Sequence, residues 1–292
     1  MSERTARERV AEPVRERLPD TRADLERSFD RTVLENRFAI AVVFPAVGAL
    51  MLVASAEGLL PEPLSFNPWL LLLGVAVMRS PLAAGGLPLL DRRAGAWLGG
   101  LVAYTYAIEY VGILTGWPYG YFEYGVSLGP MIGGVPVALP LFFVPLVANA
   151  YLLCLLLLGR WSNSTPARLG TVIAFVVAMD VVLDPGAVSL GFWGYDGGGP
   201  FYGVPVSNYL GWVLSATVAV VALDRGFDRA GLLRRLESTP FMLDDMVSFV
   251  ILWGGINVWF GNVVPAVFAV GMAIGLVKTD RFDSELLRPL RR

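Results

Sequence analysis

The stretch that decides the fold is residues 105 to 136, which read TYAIEYVGILTGWPYGYFEYGVSLGPMIGGVP. It begins as an apolar segment that carries one carboxylate, Glu109. A loop rich in tryptophan and tyrosine follows, and the chain then re-enters an apolar run through Gly-Val-Pro-Val at 134–137. The pattern predicts an apolar helix with one acid, an aromatic loop and a second apolar helix.

A second stretch follows the same plan. Asp180 and Asp184 lie near the end of an apolar run, an aromatic loop follows, and Gly-Val-Pro-Val recurs at 203–206. Self-similarity of this kind indicates an internal repeat. The sequence therefore predicts two units of one design, each joining an acid to an aromatic loop.

The composition is that of a membrane protein. Of the 292 residues, 55% are hydrophobic and 16% are charged, whereas soluble domains carry about 25% charged residues. The net charge of −2 suggests no nucleic-acid partner. The sequence contains no histidine and one cysteine, Cys154, which excludes His-based metal sites and intrachain disulfides.

Eight apolar runs are long enough, or nearly so, to cross a bilayer. They are 38–58, 66–90, 94–115, 134–158, 167–185, 204–223, 245–261 and 263–277, the last two short enough for a tight hairpin. Basic residues outside the runs fall only in alternate connections, the pattern of cytoplasmic loops. We expect an all-α polytopic membrane helix bundle of about eight transmembrane helices with a parallel internal repeat.

This topology places both termini in the cytoplasm and the protein in the cell membrane. The expected organisation is a polar N-terminal tail at 1–37, a transmembrane domain at 38–277 and a C-terminal tail at 278–292. The N-terminal tail holds nine arginines and nine acids, and its apolar residues recur at a spacing that predicts a surface helix broken at Pro13 and Pro19.

Three other ionisable residues near the cytoplasmic side have local interpretations. Arg79 either pairs with a buried acid or lies near the cytoplasmic helix end, where its side chain can extend to water, and we expect the second. Asp244 and Asp245 precede an apolar run and are expected to cap a helix.

The candidate catalytic residues are Asp180, Asp184 and Glu109, because ionisable side chains inside spans are costly and usually functional. Asp180 and Asp184 are four residues apart and share a helix face. Two neighbouring carboxylates in an apolar site resist ionising together, and a neutral carboxylic acid suits a general acid. The alternative for Asp180 and Glu109 is a buried structural role, with a hydrogen bond to Asn149, Asn208 or a tyrosine. The alternative for Asp184 is a helix-end residue in the turn sequence Asp-Pro-Gly at 184–186.

The aromatic loops repeat a Trp-x-Tyr order, Trp117-Pro118-Tyr119 and Trp193-Gly194-Tyr195. Interfacial aromatic residues are common in membrane proteins, but this does not explain the repeated order. Aromatic faces stabilise cations where water is excluded. A protonating acid beside aromatic rings therefore indicates a reaction through a carbocation.

At these residues the sequence resembles the membrane carotenoid hydratases, within a wider family of carotenoid-biosynthesis membrane proteins. The resemblance covers roughly residues 38–277. It rests on the following motifs: Glu109-Tyr110-Val111-Gly112, Trp117-Pro118-Tyr119-Gly120 with Tyr124, Gly134-Val135-Pro136, 180–185, and Trp193 through Tyr202-Gly203-Val204-Pro205 to Asn208, Gly211 and Trp212.

The resemblance implies addition of water across the terminal trisubstituted double bond of an acyclic carotenoid, giving a tertiary alcohol without a cofactor or metal. The most similar members act in bacterioruberin synthesis, where both ends of bisanhydrobacterioruberin would be hydrated. The expected partners are a carotenoid from the bilayer, membrane lipid and other carotenoid-biosynthesis enzymes. The expected substrate-binding residues are Trp117, Tyr119, Tyr124, Trp193, Tyr195, Tyr202, Asn208 and Trp212.

Two other functions fit parts of the pattern. Asp180-x-x-x-Asp184 is similar to the aspartate motif of magnesium-dependent membrane prenyltransferases, but those enzymes need a second acidic motif and basic residues for a diphosphate. A proton-coupled small-molecule transporter would use buried acids as coupling sites, with the repeat as its two halves.

Overall fold

The computed structural model describes residues 21–282 and residue 286, so the predicted breaks at Pro13 and Pro19 lie outside the described residues. The helices are α1 (Arg22–Glu35), α2 (Phe44–Ala56), α3 (Pro68–Gly86), α4 (Arg92–Thr115), α5 (Leu139–Leu158), α6 (Thr165–Ser189), α7 (Val206–Gly226), α8 (Arg229–Ser238), α9 (Asp244–Trp259) and α10 (Val263–Lys278). A π-helical segment, Ala39–Val43, leads directly into α2.

Four short strands lie in the two aromatic loops and beside them. They are β1 (Phe122–Tyr124), β2 (Met131–Ile132), β3 (Val135–Pro136) and β4 (Trp193–Tyr195). β2 and β3 form a small hairpin, whereas β1 pairs antiparallel with β4 and thereby joins the loop of the first repeat unit to the loop of the second.

The prediction of an all-α membrane bundle is confirmed. Among the described residues, seven helical stretches are long and apolar enough to cross a membrane, and helix α10 is apolar but shorter. The observed bounds differ from the predicted ones where turn chemistry intervenes. The fourth span begins at Leu139 because residues 135–136 belong to β3, and the fifth continues through Pro185 to Ser189.

Local sequence sets the ends of the helix that carries Glu109. The Asp91 side chain accepts a hydrogen bond from the Ala94 backbone N–H at 2.7 Å, which caps the start of α4. The helix ends at Gly116, whose φ of +70° is a left-handed conformation that glycine adopts without strain. Glu109 is thereby held in the second turn from the end of α4.

Helix α5 occupies the centre of the bundle and packs against six other helices, α3, α4, α6, α7, α9 and α10. Its side chains Val147, Ala150 and Leu153 are fully buried, and so is the free thiol of Cys154. A buried cysteine in such a place acts as a small apolar side chain.

The expectation for Arg79 is wrong, and the alternative of pairing with a buried acid is the arrangement observed. The side chain does not extend to water but forms a buried ion pair with Asp245, and Asn149 Nδ2 donates to the other Asp245 oxygen at 2.7 Å. Arg79 Nε also donates to the Leu141 carbonyl at 3.3 Å. That carbonyl lacks its usual helical partner because residue 145 is a proline without an N–H.

The prediction that Asp244 and Asp245 cap a helix is also wrong. Both side chains are fully buried, and Asp244 accepts two hydrogen bonds at 2.8 Å from the Arg37 guanidinium. The two acids therefore tie the start of α9 to α3 and to the segment before α2. Capping signals are local, and the arginine partners lie too far away in the sequence to enter them.

Removing one partner of a buried ion pair leaves an uncompensated charge, which costs about 3–5 kcal/mol. We expect Arg79→Met to lower the unfolding temperature of the detergent-solubilised protein strongly. The double variant Arg79→Met/Asp245→Leu should recover much of the loss. The exposed pair Arg27–Asp24 provides the control, since Arg27→Met should change the unfolding temperature little. An Arg79→Met protein as stable as the wild type would contradict the importance of this pair.

Candidate active site

A cavity of about 140 Å³ lies between α4, α5, α6, α7 and α9. Its wall is largely aromatic and aliphatic, and side chains of β1 and β4 close one end of it. The two repeat units contribute together, since α4 and β1 come from the first and α6, β4 and α7 from the second. The cavity is therefore where the two predicted acid–aromatic units meet.

The β1–β4 pair presents an aromatic face to the cavity. Phe122 lies opposite Tyr195 in the ladder, and Tyr124 lies opposite Trp193. Alternate residues of a strand point to the same side, as do residues directly opposite each other. All four rings accordingly line the cavity, while Glu123 between them is exposed.

The strand register shows which parts of the two loops pair with each other. Sequence order aligns Trp117–Tyr119 with Trp193–Tyr195, but the structure pairs residues 122–124 with residues 193–195. Trp117 and Tyr119 therefore lie outside the pairing of the two loops. A hydrogen-bonded register is a tertiary property, and spacing from the preceding acid does not reveal it.

Each tyrosine of this face donates a hydrogen bond to a carboxyl group on a helix. Tyr124 donates to Glu109 Oε1 on α4, and Tyr195 donates to Asp184 Oδ2 on α6 at 2.7 Å. Burial, with a smaller contribution from the neighbouring carboxylates, raises the pKa of Tyr124 and of Tyr195. Both phenols therefore remain protonated donors, and the acids are held by the loop of their own repeat unit.

A second acid lies behind Asp184. The Asn208 side chain on α7 donates from Nδ2 to Asp184 Oδ2 at 2.5 Å and to Asp180 Oδ2 at 3.0 Å. Asp180 is fully buried, and it does not line the cavity, whereas Asp184 and Asn208 do. The predicted pair of acids on one helix face thus consists of one acid at the cavity and one behind it.

Tyr119 is inserted between α4 and α7. A Cβ atom added at Gly211 would lie 2.5 Å from the Tyr119 ring, and one added at Gly112 would lie 3.4 Å from the other edge of the ring. The hydroxyl group is 2.5 Å from Ser215 Oγ. The two glycines therefore form a slot that fixes the ring as part of the cavity wall.

Further aromatic side chains complete the wall. Trp212 stacks on Phe143 with ring centroids 5.4 Å apart, and Trp253 packs edge to face against Phe192 at 6.3 Å. Phe143 and Trp253 are site residues that sequence reasoning missed. They lie within apolar helices and carry no local signal that separates them from other core residues.

The structure brings most of the predicted site residues to the cavity wall. Those that line it are Glu109, Tyr119, Tyr124, Asp184, Trp193, Tyr195, Asn208 and Trp212. Trp117 is 57% exposed and lies away from the cavity. Tyr202 also lies elsewhere, where its hydroxyl accepts a hydrogen bond from the Val264 N–H at 3.3 Å. Asn149, considered as a partner of the catalytic acids, instead bonds Asp245.

Among residues 21–282 and residue 286, no group of three or more His, Cys, Asp or Glu side chains is arranged to hold a metal ion. Asp244 and Asp245, two adjacent acids elsewhere in the chain, are engaged with Arg37 and Arg79. They therefore do not supply the second acidic motif of a magnesium-dependent prenyltransferase.

The chain is similar to known proteins over most of its length. A curated relative from Haloarcula japonica, named bisanhydrobacterioruberin hydratase, is 61% identical over 270 residues, which cover 92% of each chain. No solved structure matches the chain. The family described as carotenoid biosynthesis protein matches residues 66–276. The chain belongs to this family of carotenoid biosynthesis proteins.

Proposed function

We propose that the protein is a carotenoid hydratase that adds water across the terminal trisubstituted double bond of an acyclic carotenoid. The observation that carries the proposal is that Asp184 and Glu109, each held by a tyrosine, line one aromatic cavity. The name of the relative from Haloarcula japonica points to bisanhydrobacterioruberin as the substrate. The cavity is far smaller than a whole carotenoid, so one end group would occupy it while the polyene extends into the bilayer.

Asp184 is the proton donor in this proposal. Its Oδ2 atom already accepts hydrogen bonds from Tyr195 and Asn208, which occupy the lone pairs of that oxygen. The acidic proton of neutral Asp184 therefore resides on Oδ1. Transfer of this proton to the less substituted alkene carbon forms a C–H bond, breaks the π bond and leaves a tertiary cation.

The aromatic wall stabilises the cation. The hydroxyl groups of Tyr119, Tyr124 and Tyr195 are all hydrogen-bonded to Ser215, Glu109 and Asp184 respectively. These tyrosines consequently present their rings to the end group. A cation facing aromatic rings in a desolvated site gains about 2 kcal/mol or more.

Glu109 is the base in this proposal. Water attacks the cation, and the new C–O bond forms as a proton passes from the water to the Glu109 carboxylate. Asp184 has then lost a proton and Glu109 has gained one. Once the alcohol leaves, proton exchange through water in the emptied cavity restores both acids, so the net reaction is addition of water alone.

The first test is conversion of pigment in a bacterium that accumulates lycopene or bisanhydrobacterioruberin. We expect each hydrated end to add the mass of one water molecule. Asp184→Asn and Glu109→Gln should each lower the rate by at least about 100-fold, the usual contribution of a general acid or base. Glu123→Gln is the matched control, because Glu123 is exposed and lies between two of the cavity aromatics. Pigments that stay unchanged with well-inserted protein would contradict the proposal.

A second test addresses cation stabilisation. Loss of about 2 kcal/mol of cation–π stabilisation corresponds to a rate about 30-fold lower. We expect Trp212→Leu to lower kcat by this order with a smaller effect on KM. Trp259→Leu should leave kcat unchanged, since Trp259 is 60% exposed and does not line the cavity. Equal kcat values for the two variants would contradict a role for the Trp212 ring.

We also propose that residues 38–277 form the transmembrane domain in the cell membrane, with the tails 1–37 and 278–292 in the cytoplasm. The support is the restriction of basic residues to alternate connections. With this orientation the cavity lies in the outer half of the bilayer. A carotenoid would reach it sideways between helices, from the lipid phase.

Cysteine labelling tests this orientation, because the natural Cys154 is buried and gives little background. Both Asp196 and Ser238 are exposed, and they lie in connections assigned to opposite sides. On intact cells a membrane-impermeant maleimide should label the Asp196→Cys variant and not the Ser238→Cys variant. After lysis both should react. The reverse labelling pattern would overturn the orientation.

A further inference from the structure

The orientation of the Asn208 amide is determined by its surroundings. An amide nitrogen carries two hydrogens, and Asn208 Nδ2 donates both of them, to Asp180 Oδ2 at 3.0 Å and to Asp184 Oδ2 at 2.5 Å. Rotating the amide by 180° would place its oxygen against two carboxyl oxygens, one of which already accepts from Tyr195. The donor end of Asn208 therefore faces the acids.

The acceptor atom of the Asn208 amide, Oδ1, is available to a molecule in the cavity. Asn208 lines the cavity wall, and no described residue donates a hydrogen bond to its Oδ1. A second acceptor is Glu109 Oε2. Tyr124 donates to Oε1 of that carboxylate, and within the described part of the chain no donor reaches Oε2. The remaining cavity tyrosine, Tyr119, has its hydroxyl at Ser215.

We propose that Asn208 Oδ1 and Glu109 Oε2 together bind the water molecule that is added, and that Asp180 is a positioning residue that orients Asn208. This inference rests on the proposed hydratase function. A water molecule that donates its two hydrogens to these two acceptors directs a lone pair at the cation. Asp180 does not line the cavity and acts through Asn208, which explains why a fully buried acid behind the cavity wall belongs to the site.

The bound water decides which of two reactions the cation undergoes, capture by water or loss of a proton. With water in place, the C–O bond forms and the alcohol results. Without it, the cation loses a proton from an adjacent carbon to the Asp184 carboxylate, and the double bond forms again. In D2O the second route leaves deuterium in the recovered alkene, because Asp184 delivers a deuteron before a proton is removed.

The experiment measures deuterium in the recovered carotenoid against alcohol formed, using membranes that contain the full chain in D2O. We expect Asn208→Ala to raise the ratio of exchange to hydration at least about tenfold. Asn149→Ala is the control, since Asn149 is an equally buried amide that bonds Asp245 away from the cavity. A general loss of packing lowers exchange and hydration together and leaves the ratio unchanged.

Asp180 is tested by two substitutions. Asp180→Asn keeps an oxygen that can accept from Asn208, so hydration and the ratio should stay near the wild-type values. Asp180→Leu removes the acceptor and should raise the ratio as Asn208→Ala does. Asp184→Asn should abolish exchange and hydration alike, because it removes the proton donor.

Two results would overturn the water site. One is an unchanged ratio in both Asn208→Ala and Asp180→Leu. The other is an Asp180→Asn protein as inactive as Asp184→Asn, which would make Asp180 a proton donor. A wild-type protein that neither hydrates nor exchanges any carotenoid tested would instead overturn the proposed function. If Asn208→Ala does not fold, the two Asp180 variants alone still decide the question.

Discussion

A buried carboxyl group in a membrane bundle must be hydrogen-bonded within the protein, and the rest of the site depends on this constraint. Here one donor to Glu109 and one to Asp184 come from the loops. Tyr124 reaches back to Glu109, and Tyr195 reaches back to Asp184. Both bonds require β1 and β4 to pair, because only that register directs both tyrosines to the same side. The aromatic face of β1 and β4 thus results from the need of two buried acids, Glu109 and Asp184, for hydrogen-bond donors.

The same constraint explains a second polar cluster, around Asp245, which does not line the cavity. Pro145 frees a carbonyl of α5, and Arg79 binds that carbonyl together with Asp245. Asn149 bonds the second oxygen of Asp245. The polar groups of this cluster, which come from three helices, therefore satisfy one another's hydrogen bonds, and the carbonyl freed by the proline is among them. Such clusters fix how helices pack, and α9, which carries the cavity residue Trp253, is held in this way.

The sequence predicts what depends on local chemistry. Apolar runs of sufficient length gave the helices, and isolated acids inside them pointed to Glu109, Asp180 and Asp184. The ends of spans were less accurate where backbone chemistry changes, as at the strand residues 135–136. Helix α6 continues through Pro185, although proline more often ends a helix.

What the sequence could not provide depends on contacts between distant residues. The capping interpretation of Asp244 and Asp245 failed because Arg37 and Arg79 are remote in the chain. The repeated Trp-x-Tyr order did not reveal that residues 122–124, and not 117–119, pair with residues 193–195. The glycine slot for Tyr119 has the same origin, since Gly112 and Gly211 become neighbours only when α4 and α7 pack. Register and packing of this kind are set by the whole fold.

The two repeat units are similar in plan but differ in their acids. This difference makes the two sides of the cavity chemically unlike. The first unit offers one carboxylate held by one tyrosine. The second offers two carboxyls that share the amide of Asn208, so that protons and hydrogen bonds are distributed unevenly across the cavity. An addition reaction needs such an asymmetry, because one side must deliver a proton while the other receives one. In this scheme the two repeat units supply similar aromatic walls. Asp180 and Asn208, which are present in the second unit alone, make the surroundings of the proton donor Asp184 differ from those of the base Glu109.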